Sequence, residues 1–537
     1  MKKAVVLFGI LFLVLTGCGS TNNDAFVWGS SRALESLDVS QVSYDQSFQL
    51  MVDVYQTLTE VNDEGELING MASEITSSED GKTYTITLRD DAKWVDYAGE
   101  EQGNVTAEDY VYGWQRMVTP ATASSYSFIF EPIVNATEIT AGEKEPSELG
   151  VKAIDDYTLE VSLNTPVPYF ESLLAFPSFA AQPKAAIEEY GTDYASDAEH
   201  AWYDGAYYVT EYDPQSETYL TKNELYYDKD TTTLENITFK VSEDDSASYS
   251  AFKTGELDYA EILSNSENQK EAKEEGTLKS VLTGFSYYVH LNHLDSATTA
   301  NENLRKGIAY GFDREEIRKA AFGDMNEAVE YILPAEFTNI AYDGEDYRDY
   351  GKDSLITYNK EEADKYFDAY MEDMGFSERS EIVVKYLAAD TESNRKLSEA
   401  VQAAYSQTFG ITIKVDTLPS EQFDEARENG EYDMLILAWG PDFADPSTYL
   451  GLWTSYSSQN DTGYNNPEYD ALYQEALKET NTQARFEDFA KLEQMLIDDT
   501  VLVPFYQKTQ EYLLADGYDM PTHLFMKISQ KYVTKSE

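Results

Sequence analysis

The sequence predicts an α/β protein with more than one lobe, and its length and its pattern of apolar residues lead to this prediction. The chain has 537 residues, and at roughly 150 residues per domain it has room for about three structural units. The second half alternates between strand and helix patterns over 382–387, 397–409, 411–415, 423–427 and 434–439. A βαβαβ order of this kind is typical of a mostly parallel sheet covered by helices.

The first half is richer in strand patterns. Residues 25–29 have the composition of a strand, and residues 83–88 alternate polar and apolar side chains at a period of two, which is typical of a half-buried strand. The turn dipeptide Asp80–Gly81 comes just before the second of these. We therefore expect a mixed, sheet-rich first half. Further strand patterns occur at 157–163, 207–212, 218–222 and 237–241.

A helix is expected directly after Thr106. Thr106 and Asp109 have the spacing of a capping box, in which each side chain accepts a hydrogen bond from the backbone of the other residue. Apolar residues then recur at helical spacing until Pro120, which ends the helix.

The second half opens with two more helices and closes with a strand. Leu304 and Ile308 share one face of a helix, and Asp313 offers an N-cap for the helix that follows. Residues 501–505 are typical of a late strand, which we expect to return to the first lobe. No internal repeat of 20–50 residues is present, and this argues against a solenoid or a propeller.

The charge of the chain limits its partners. It carries 99 Asp and Glu against 39 Lys and Arg, for a net charge of −60. Binding to nucleic acid depends on cationic side chains, so a nucleic-acid partner is not expected. An anionic lipid surface would also repel this protein. The charge has two interpretations: a solvated exterior that prevents aggregation, or the steering of cationic ligands and adaptation to a salty medium.

The sequence offers little catalytic chemistry. Its four histidines, His200, His290, His293 and His523, do not form the HExxH zinc pattern. It contains no GxSxG elbow, no phosphate-binding loop and no GxGxxG motif. We therefore expect no enzymatic activity, no metal and no cofactor.

The N-terminus predicts export. Basic residues at 2–3 are followed by an apolar run over 4–15, which is shorter than the roughly 20 residues of a membrane-spanning helix but suits a secretory signal. The sequence Leu-Thr-Gly-Cys that ends at Cys18, the single cysteine, resembles a bacterial lipobox. This resemblance implies that residues 1–18 are a signal peptide, that Cys18 carries lipid, and that the lipid anchors the protein to the extracytoplasmic face of the cell membrane. The alternative is an ordinary cleaved signal with a chance cysteine.

Four ordered motifs resemble those of the extracytoplasmic solute-binding proteins of peptide ABC importers, the oligopeptide-binding (family 5) group. The first motif departs from the family pattern at 95–104, where a longer acidic loop replaces a tight turn. The four motifs are SEDGKTYTITLRDDAKW at 78–94, continuing into VTAEDYV at 105–111, then AFKTGELD at 251–258, LRKGIAYGFDR at 304–314, and WGPDFADPSTYL at 439–450.

The fourth motif carries the expected binding chemistry. The resemblance implies that Asp442 pairs with the free α-amino group of a bound peptide, and that Trp439, Gly440 and Phe443 supply backbone groups and an aromatic wall. Asp442 also lies three residues beyond a predicted central strand, and open α/β sheets bind ligands at the carboxyl ends of their strands. The alternative is that Asp442 only caps a turn before Pro446.

Two further segments are expected at the cleft. The resemblance implies that Ser30, Ser31 and Arg32 form one edge of the site, where the family hydrogen-bonds the peptide backbone as an added strand. Tyr287 and Tyr288 are adjacent, so an alternating strand directs only one of them to the cleft, and we place Tyr287 there. Ordinary strand packing is the alternative for both.

The resemblance implies a periplasmic-binding-protein-like fold of two lobes, of the large peptide-binding type II class, with an extra subdomain in lobe one. Such a protein captures short peptides by closing its lobes and delivers them to a membrane permease, and we expect a monomer. The alternative cargoes are a peptide pheromone, an oligosaccharide or a nickel chelate, and a surface lipoprotein enzyme or adhesin is a remote alternative. The expected boundaries are 19–60, 191–282 and 500–537 for lobe one, 61–190 for the subdomain, and 283–499 for lobe two.

Overall fold

The computed structural model describes residues 25–536, except for 243, 263–266, 324, 352–354 and 458. The expected signal peptide and Cys18 lie outside these residues. Within the described part of the chain, no helix is both long enough and apolar enough to cross a bilayer.

The strands are short in the first half of the chain and include two long ones in the second. They are β1 Ala25–Ser30, β2 Thr59–Val61, β3 Leu67–Asn69, β4 Ala72–Ser77, β5 Thr83–Leu88, β6 Lys93–Val95, β7 Glu101–Asn104, β8 Val151–Asp155, β9 Thr158–Ser162, β10 Tyr207–Tyr212, β11 Glu217–Lys222, β12 Asn236–Val241, β13 Tyr259–Glu261, β14 Leu278–Leu291, β15 Glu327–Ala328, β16 Val383–Ala389, β17 Thr412–Leu418, β18 Met434–Trp439, β19 Leu502–Leu514, β20 Tyr518–Asp519 and β21 Thr534–Lys535.

The helices cover both halves, and the longer ones belong to the second. They are α1 Asp45–Val54, α2 Ala107–Val118, α3 Ala136–Thr140, α4 Phe170–Leu173, α5 Lys184–Tyr190, α6 Asp245–Thr254, α7 Glu267–Glu275, α8 Glu302–Gly311, α9 Arg314–Phe322, α10 Lys360–Met374, α11 Glu392–Phe409, α12 Ser420–Glu428, α13 Ser447–Leu450, α14 Pro467–Ala476 and α15 Thr482–Asp498.

The local predictions in the first half are confirmed. The segment predicted at 83–88 is β5, and the backbone amide of Thr106 donates a 2.9 Å hydrogen bond to the Asp109 carboxylate, as a capping box requires. The helix then ends at Val118, before the proline. The acidic segment at 95–104 belongs to an antiparallel hairpin: it contains the end of β6, a turn at 96–100 and the strand β7, and Lys93 pairs with Asn104.

A long sheet forms the centre of the molecule, with the strand order β10-β11-β12-β1-β13-β19-β14-β18-β16-β17. The parallel arrangement predicted for the second half is found for β17, β16 and β18. It does not extend further, because β14 pairs antiparallel with both β18 and β19. This part of the sheet is therefore mixed rather than mostly parallel.

The buried apolar side chains form two main cores. The first draws on residues 26–239, together with residues from the ends of β13 and β19. The second draws on residues 288–506. Residues within 61–190 contribute to the first core, where a four-stranded antiparallel sheet of β4, β5, β9 and β8 also lies. The two cores correspond to the two lobes of the expected fold.

Two antiparallel strands, β14 and β19, run from one core to the other. Leu278 pairs with Leu513 at one end of this ladder, and His290 pairs with Leu502 at the other. The register shifts between Leu282 and Ser286, so the ladder is irregular between the lobes. We expected the chain to re-enter lobe one at residue 500. Instead, the first half of β19 packs into the second core, so the chain returns to lobe one only in the second half of this strand.

Candidate functional site

The fourth motif begins where β18 ends. Trp439 is the last residue of this strand and pairs with Ser286 of β14. Gly440 follows, and a Cβ atom there would lie 2.7 Å from the ring of Phe285, so a larger residue would have to displace this exposed ring. The sequence thus directs the next residues away from the sheet, at its carboxyl edge.

Trp439 and Ser286 share one face of the sheet as cross-strand partners. Among the described residues, neither the Trp439 indole Nε1 nor the Ser286 hydroxyl has a hydrogen-bond partner, although both atoms are buried. Buried polar groups are nearly always paired. The end of β18 therefore has two polar groups whose hydrogen-bonding capacity is unused in this structure.

Asp442 is half-buried in the turn after β18. Its backbone amide donates a 3.1 Å hydrogen bond to the Thr448 hydroxyl. Burial raises the pKa of Asp442 to about 6, and a hydrogen bond from Thr448 only partly offsets this effect. Among the described residues, no lysine, arginine or histidine forms an ion pair with Asp442. The structure thus holds a carboxylate without a cation.

The raised pKa of Asp442 predicts that the free energy of unfolding falls as this carboxyl group ionises. The folded pKa of Asp442, about 6, is above the ordinary value of 3.8, so ionisation destabilises the fold progressively from about pH 4 to pH 6 and fully above it. We expect Asp442→Asn to raise the free energy of unfolding by on the order of 2–3 kcal/mol at pH 8, with little effect below pH 4. Urea unfolding at both pH values measures this.

The exposed Asp230 provides the control, since Asp230→Asn should leave the unfolding curve in place at either pH. A stability gain for Asp442→Asn that is the same at pH 4 and pH 8 would contradict the assigned ionisation of Asp442.

Asp445, in the same motif, has a structural environment. Its carboxylate is fully buried and receives hydrogen bonds from Arg485 Nε and Nη2, both at 2.9 Å, and from the hydroxyls of Tyr342 and Ser447. The Arg485 guanidinium keeps the pKa of Asp445 below its usual value despite burial. The two acids of the motif therefore differ, because Asp445 fixes the loop while Asp442 remains without a cation.

The motif lies against residues of the first core. Phe443 stacks on Tyr169 with ring centroids 4.4 Å apart and planes at 6°, and it packs against the first core. Ala444 belongs to a small apolar cluster that includes Val61 and Ala175. The loop after β18 thus lies between the two lobes, and Phe443 contacts the opposite lobe.

Tyr126 lies on the lobe-one side of Asp442. Burial, with added effects from the charges of Asp442, Asp45 and Glu35, raises the pKa of Tyr126 to about 12. Asp442 of lobe two and Asp45 at the start of α1 therefore both lie near this one phenol. Together with the stacking of Phe443 on Tyr169, this indicates that the turn carrying Asp442 lies close to lobe one.

The predicted edge at 30–32 lies at the carboxyl end of β1. The Ser30 hydroxyl donates to the carbonyl oxygen of Arg32 at 2.6 Å, so it supports the turn. The Ser31 hydroxyl donates to Glu261 at 2.7 Å. The Arg32 side chain is exposed, and its guanidinium lies 4.0 Å from the centre of the Tyr44 ring. Tyr44 precedes α1, so this edge lies beside the helix that carries Asp45.

The two adjacent tyrosines have different environments, and the strand register shifts between them. Tyr288 is 1% exposed and packs in the second core, where its ring contacts His290 and Trp453. Tyr287 is partly buried against the same core and stacks on Tyr506, with ring centroids 4.4 Å apart. Burial raises the pKa of Tyr287. Tyr287 therefore pairs with another aromatic ring from the strand β19.

Two strand edges are open near these residues. β16 pairs with β18 only at Met434 and Leu435, and no other described strand pairs with that edge towards Trp439. β13 pairs with β1 only at Trp28 and Gly29, and no described strand continues along that edge. Open edges of this kind accept an extended chain through backbone hydrogen bonds.

Three residues near this site were not predicted from the sequence, namely Tyr126, Tyr169 and Glu261. Tyrosine is too frequent in the chain, with 42 residues, for either ring to stand out. Glu261 ends β13, three residues after the AFKTGELD motif, and its place at the carboxyl end of a strand was the available signal.

Residues 66–461 match the family model described as "Bacterial extracellular solute-binding proteins, family 5 Middle". The oligopeptide-binding protein OppA of Bacillus subtilis is 28% identical over 542 residues, covering 96% of each chain. Such a span includes both lobes.

Two solved structures of peptide-binding proteins also resemble this chain over nearly its whole length. OppA of Listeria monocytogenes bound to peptide has a TM-score of 0.73 and 29% identity, covering 96% of this chain and 100% of its own. The pheromone receptor PrgZ, with a structure that describes its mode of peptide binding, has a TM-score of 0.75 and 27% identity, covering 96% and 100%.

Proposed function

Since the chain belongs to family 5 of the bacterial extracellular solute-binding proteins, we propose that it captures short peptides outside the cytoplasm and delivers them to the permease of an ABC importer. The family consists of binding proteins rather than enzymes. The relatives named above bind oligopeptides, and their likeness to this chain extends over both lobes.

One observation carries the proposal: the half-buried Asp442 carboxylate has no cation partner among the described residues, and it lies in a loop whose Phe443 stacks on Tyr169 of lobe one. An unmodified peptide has an ammonium group at its amino terminus, which can form a charge-assisted hydrogen bond with this carboxylate. The two open strand edges support binding of the peptide backbone as an added strand. One edge ends at Trp439 and Gly440, and the other at Ser30, Ser31 and Arg32.

Capture proceeds by closure of the two lobes around the peptide. The crossing strands β14 and β19, with their irregular register between Leu282 and Ser286, suit a hinge that absorbs the backbone change. We propose lobe one as 19–60, 191–282 and 507–537, with 61–190 as its subdomain, and lobe two as 283–506, because residues 501–506 pack into the second core. The affinity then includes the free-energy difference between the open and closed forms.

The mature protein works as a monomer held at the outer face of the membrane through lipid on Cys18. Replacing Cys18 with serine removes the only thiol to which lipid can attach. We therefore expect the variant Cys18→Ser to leave the membrane fraction of its host and to appear in the medium or the soluble fraction, while peptide affinity stays unchanged. Fractionation followed by immunoblotting measures this, and wild-type-like membrane retention would contradict the anchor.

The cargo is tested by native mass spectrometry of the protein purified from its own host. We expect co-purified masses that fragment as peptides with free amino termini. Co-purified sugars, or a nickel chelate, would contradict peptide transport and favour another cargo for the same fold. A single peptide of fixed sequence would instead indicate a signalling peptide.

A further inference from the structure

We propose that Glu261 selects peptides with a basic side chain, which it binds in an aromatic cavity beside the proposed peptide site. This inference rests on the proposed function and adds to it the class of peptide. It concerns the cavity between the lobe-one strands and the segment 520–533 near the C-terminus.

The cavity has aromatic walls and a carboxylate. It measures about 70 Å³ and is lined by Trp28, Tyr259, Tyr512, Glu261 and Gln510, among others. Trp28 stacks on Tyr259 with ring centroids 3.8 Å apart. A volume of this size holds on the order of five waters, so it suits a slender, unbranched side chain. Aromatic faces also attract cations.

Neutral groups hold the Glu261 carboxylate in place. The Ser31 hydroxyl donates to one oxygen at 2.7 Å, and the Gln510 amide donates to the other at 2.8 Å. Over the described residues, Glu261 forms no ion pair with a lysine, arginine or histidine. Its charge is therefore oriented but not neutralised, and a ligand cation can neutralise it.

The other ionisable groups of the cavity do not supply that cation. Lys527 also lines the cavity, but its Nζ lies 2.5 Å from the carboxylate of Asp45, so this pair has no net charge. Burial lowers the pKa of His523 to about 4, so His523 is neutral at pH 7. The net charge that an entering side chain meets is that of Glu261.

The cavity and Asp442 lie near the same gap. Asp45, the partner of Lys527, and Asp442 both act on the phenol of Tyr126. Ser31, which orients Glu261, belongs to the edge proposed to bind the peptide backbone. A peptide with its amino terminus at Asp442 and its backbone along this edge can therefore direct one side chain towards Glu261.

The test compares lysine with norleucine, which keeps the alkyl chain and removes the charge. Six tripeptides carry one or the other residue at position 1, 2 or 3, with alanine elsewhere, and calorimetry gives their affinities for the purified protein. We expect lysine to bind at least roughly tenfold more tightly than norleucine at one position. The variant Glu261→Gln should abolish this difference, because it removes the charge that distinguishes the lysine peptide from the norleucine peptide.

Glu256→Gln is the matched control, because it makes the same charge change at an exposed residue of the same lobe and should retain the preference. Equal binding of lysine and norleucine peptides by the wild type, or a lysine preference that survives Glu261→Gln, would overturn the role of Glu261 and leave the proposed function intact. Failure of the wild type to bind any of the six peptides would contradict the proposed function as well.

Discussion

Replacing Asp442 with alanine is expected to weaken the binding of a peptide with a free amino terminus at least roughly tenfold. The variant leaves the ligand ammonium desolvated and without its partner, and an unpaired buried charge costs on the order of 3–5 kcal/mol. A loss of about 1.4 kcal/mol in binding free energy corresponds to a tenfold increase in Kd. Calorimetry with trialanine at pH 8, where Asp442 is ionised according to its pKa of about 6, measures the effect.

An N-acetylated trialanine completes a cycle with this variant. Acetylation removes the ligand charge, so it should weaken binding to the wild type by a similar factor, and it should have little further effect on Asp442→Ala, because each change removes the same interaction. Asp498→Ala, at an exposed position of lobe two, is the control and should bind like the wild type. Equal losses on acetylation in the wild type and in Asp442→Ala would show that the amino terminus binds elsewhere.

The second large effect is expected at the buried pair Asp445–Arg485. Both side chains are at most 1% exposed, so Arg485→Met leaves a buried carboxylate without its counter-charge. We expect the free energy of unfolding to fall by about 3–5 kcal/mol. Chemical denaturation monitored by tryptophan fluorescence measures it. The affinity for peptide should also fall, since this pair fixes the loop that carries Asp442.

Two further variants separate the effect of the unpaired charge from that of losing an ion pair. Removing both charges, with Asp445→Asn added to Arg485→Met, should recover part of the lost stability, because no unpaired charge then remains buried. Lys365→Met breaks an exposed ion pair with Glu362, and exposed pairs are worth about 0–1 kcal/mol. If Arg485→Met were no more destabilising than Lys365→Met, the pair would not fix the loop.

The local elements could be predicted from sequence because their signals are local. The period-two alternation at 83–88 and the capping box at Thr106 depend on neighbours within one strand or one turn, and both occur as predicted. The apolar run that ends at Trp439 likewise gives the strand β18. The direction of β14 relative to β18 is a tertiary property, and the βαβαβ pattern contained no information about it.

The candidate site was only partly predictable for a related reason. Asp442 follows a predicted strand, so its position at the carboxyl edge of the sheet could be anticipated. The only signal for Glu261 was its place at the end of a strand, and among 99 acidic residues this signal is too weak to single out one carboxylate before its neighbours are known. The stacking of Phe443 on Tyr169 joins residues far apart in sequence, and neither side chain has a pattern that reveals the other.

The most direct test of the account is a crystal structure of the protein with a bound tripeptide that has a free amino terminus. We expect the terminal nitrogen to lie within about 3 Å of a carboxylate oxygen of Asp442, between the two lobes, with the peptide backbone extended along β18 or β1. An amino terminus that points into solvent, with Asp442 in contact with no ligand atom, would contradict the account.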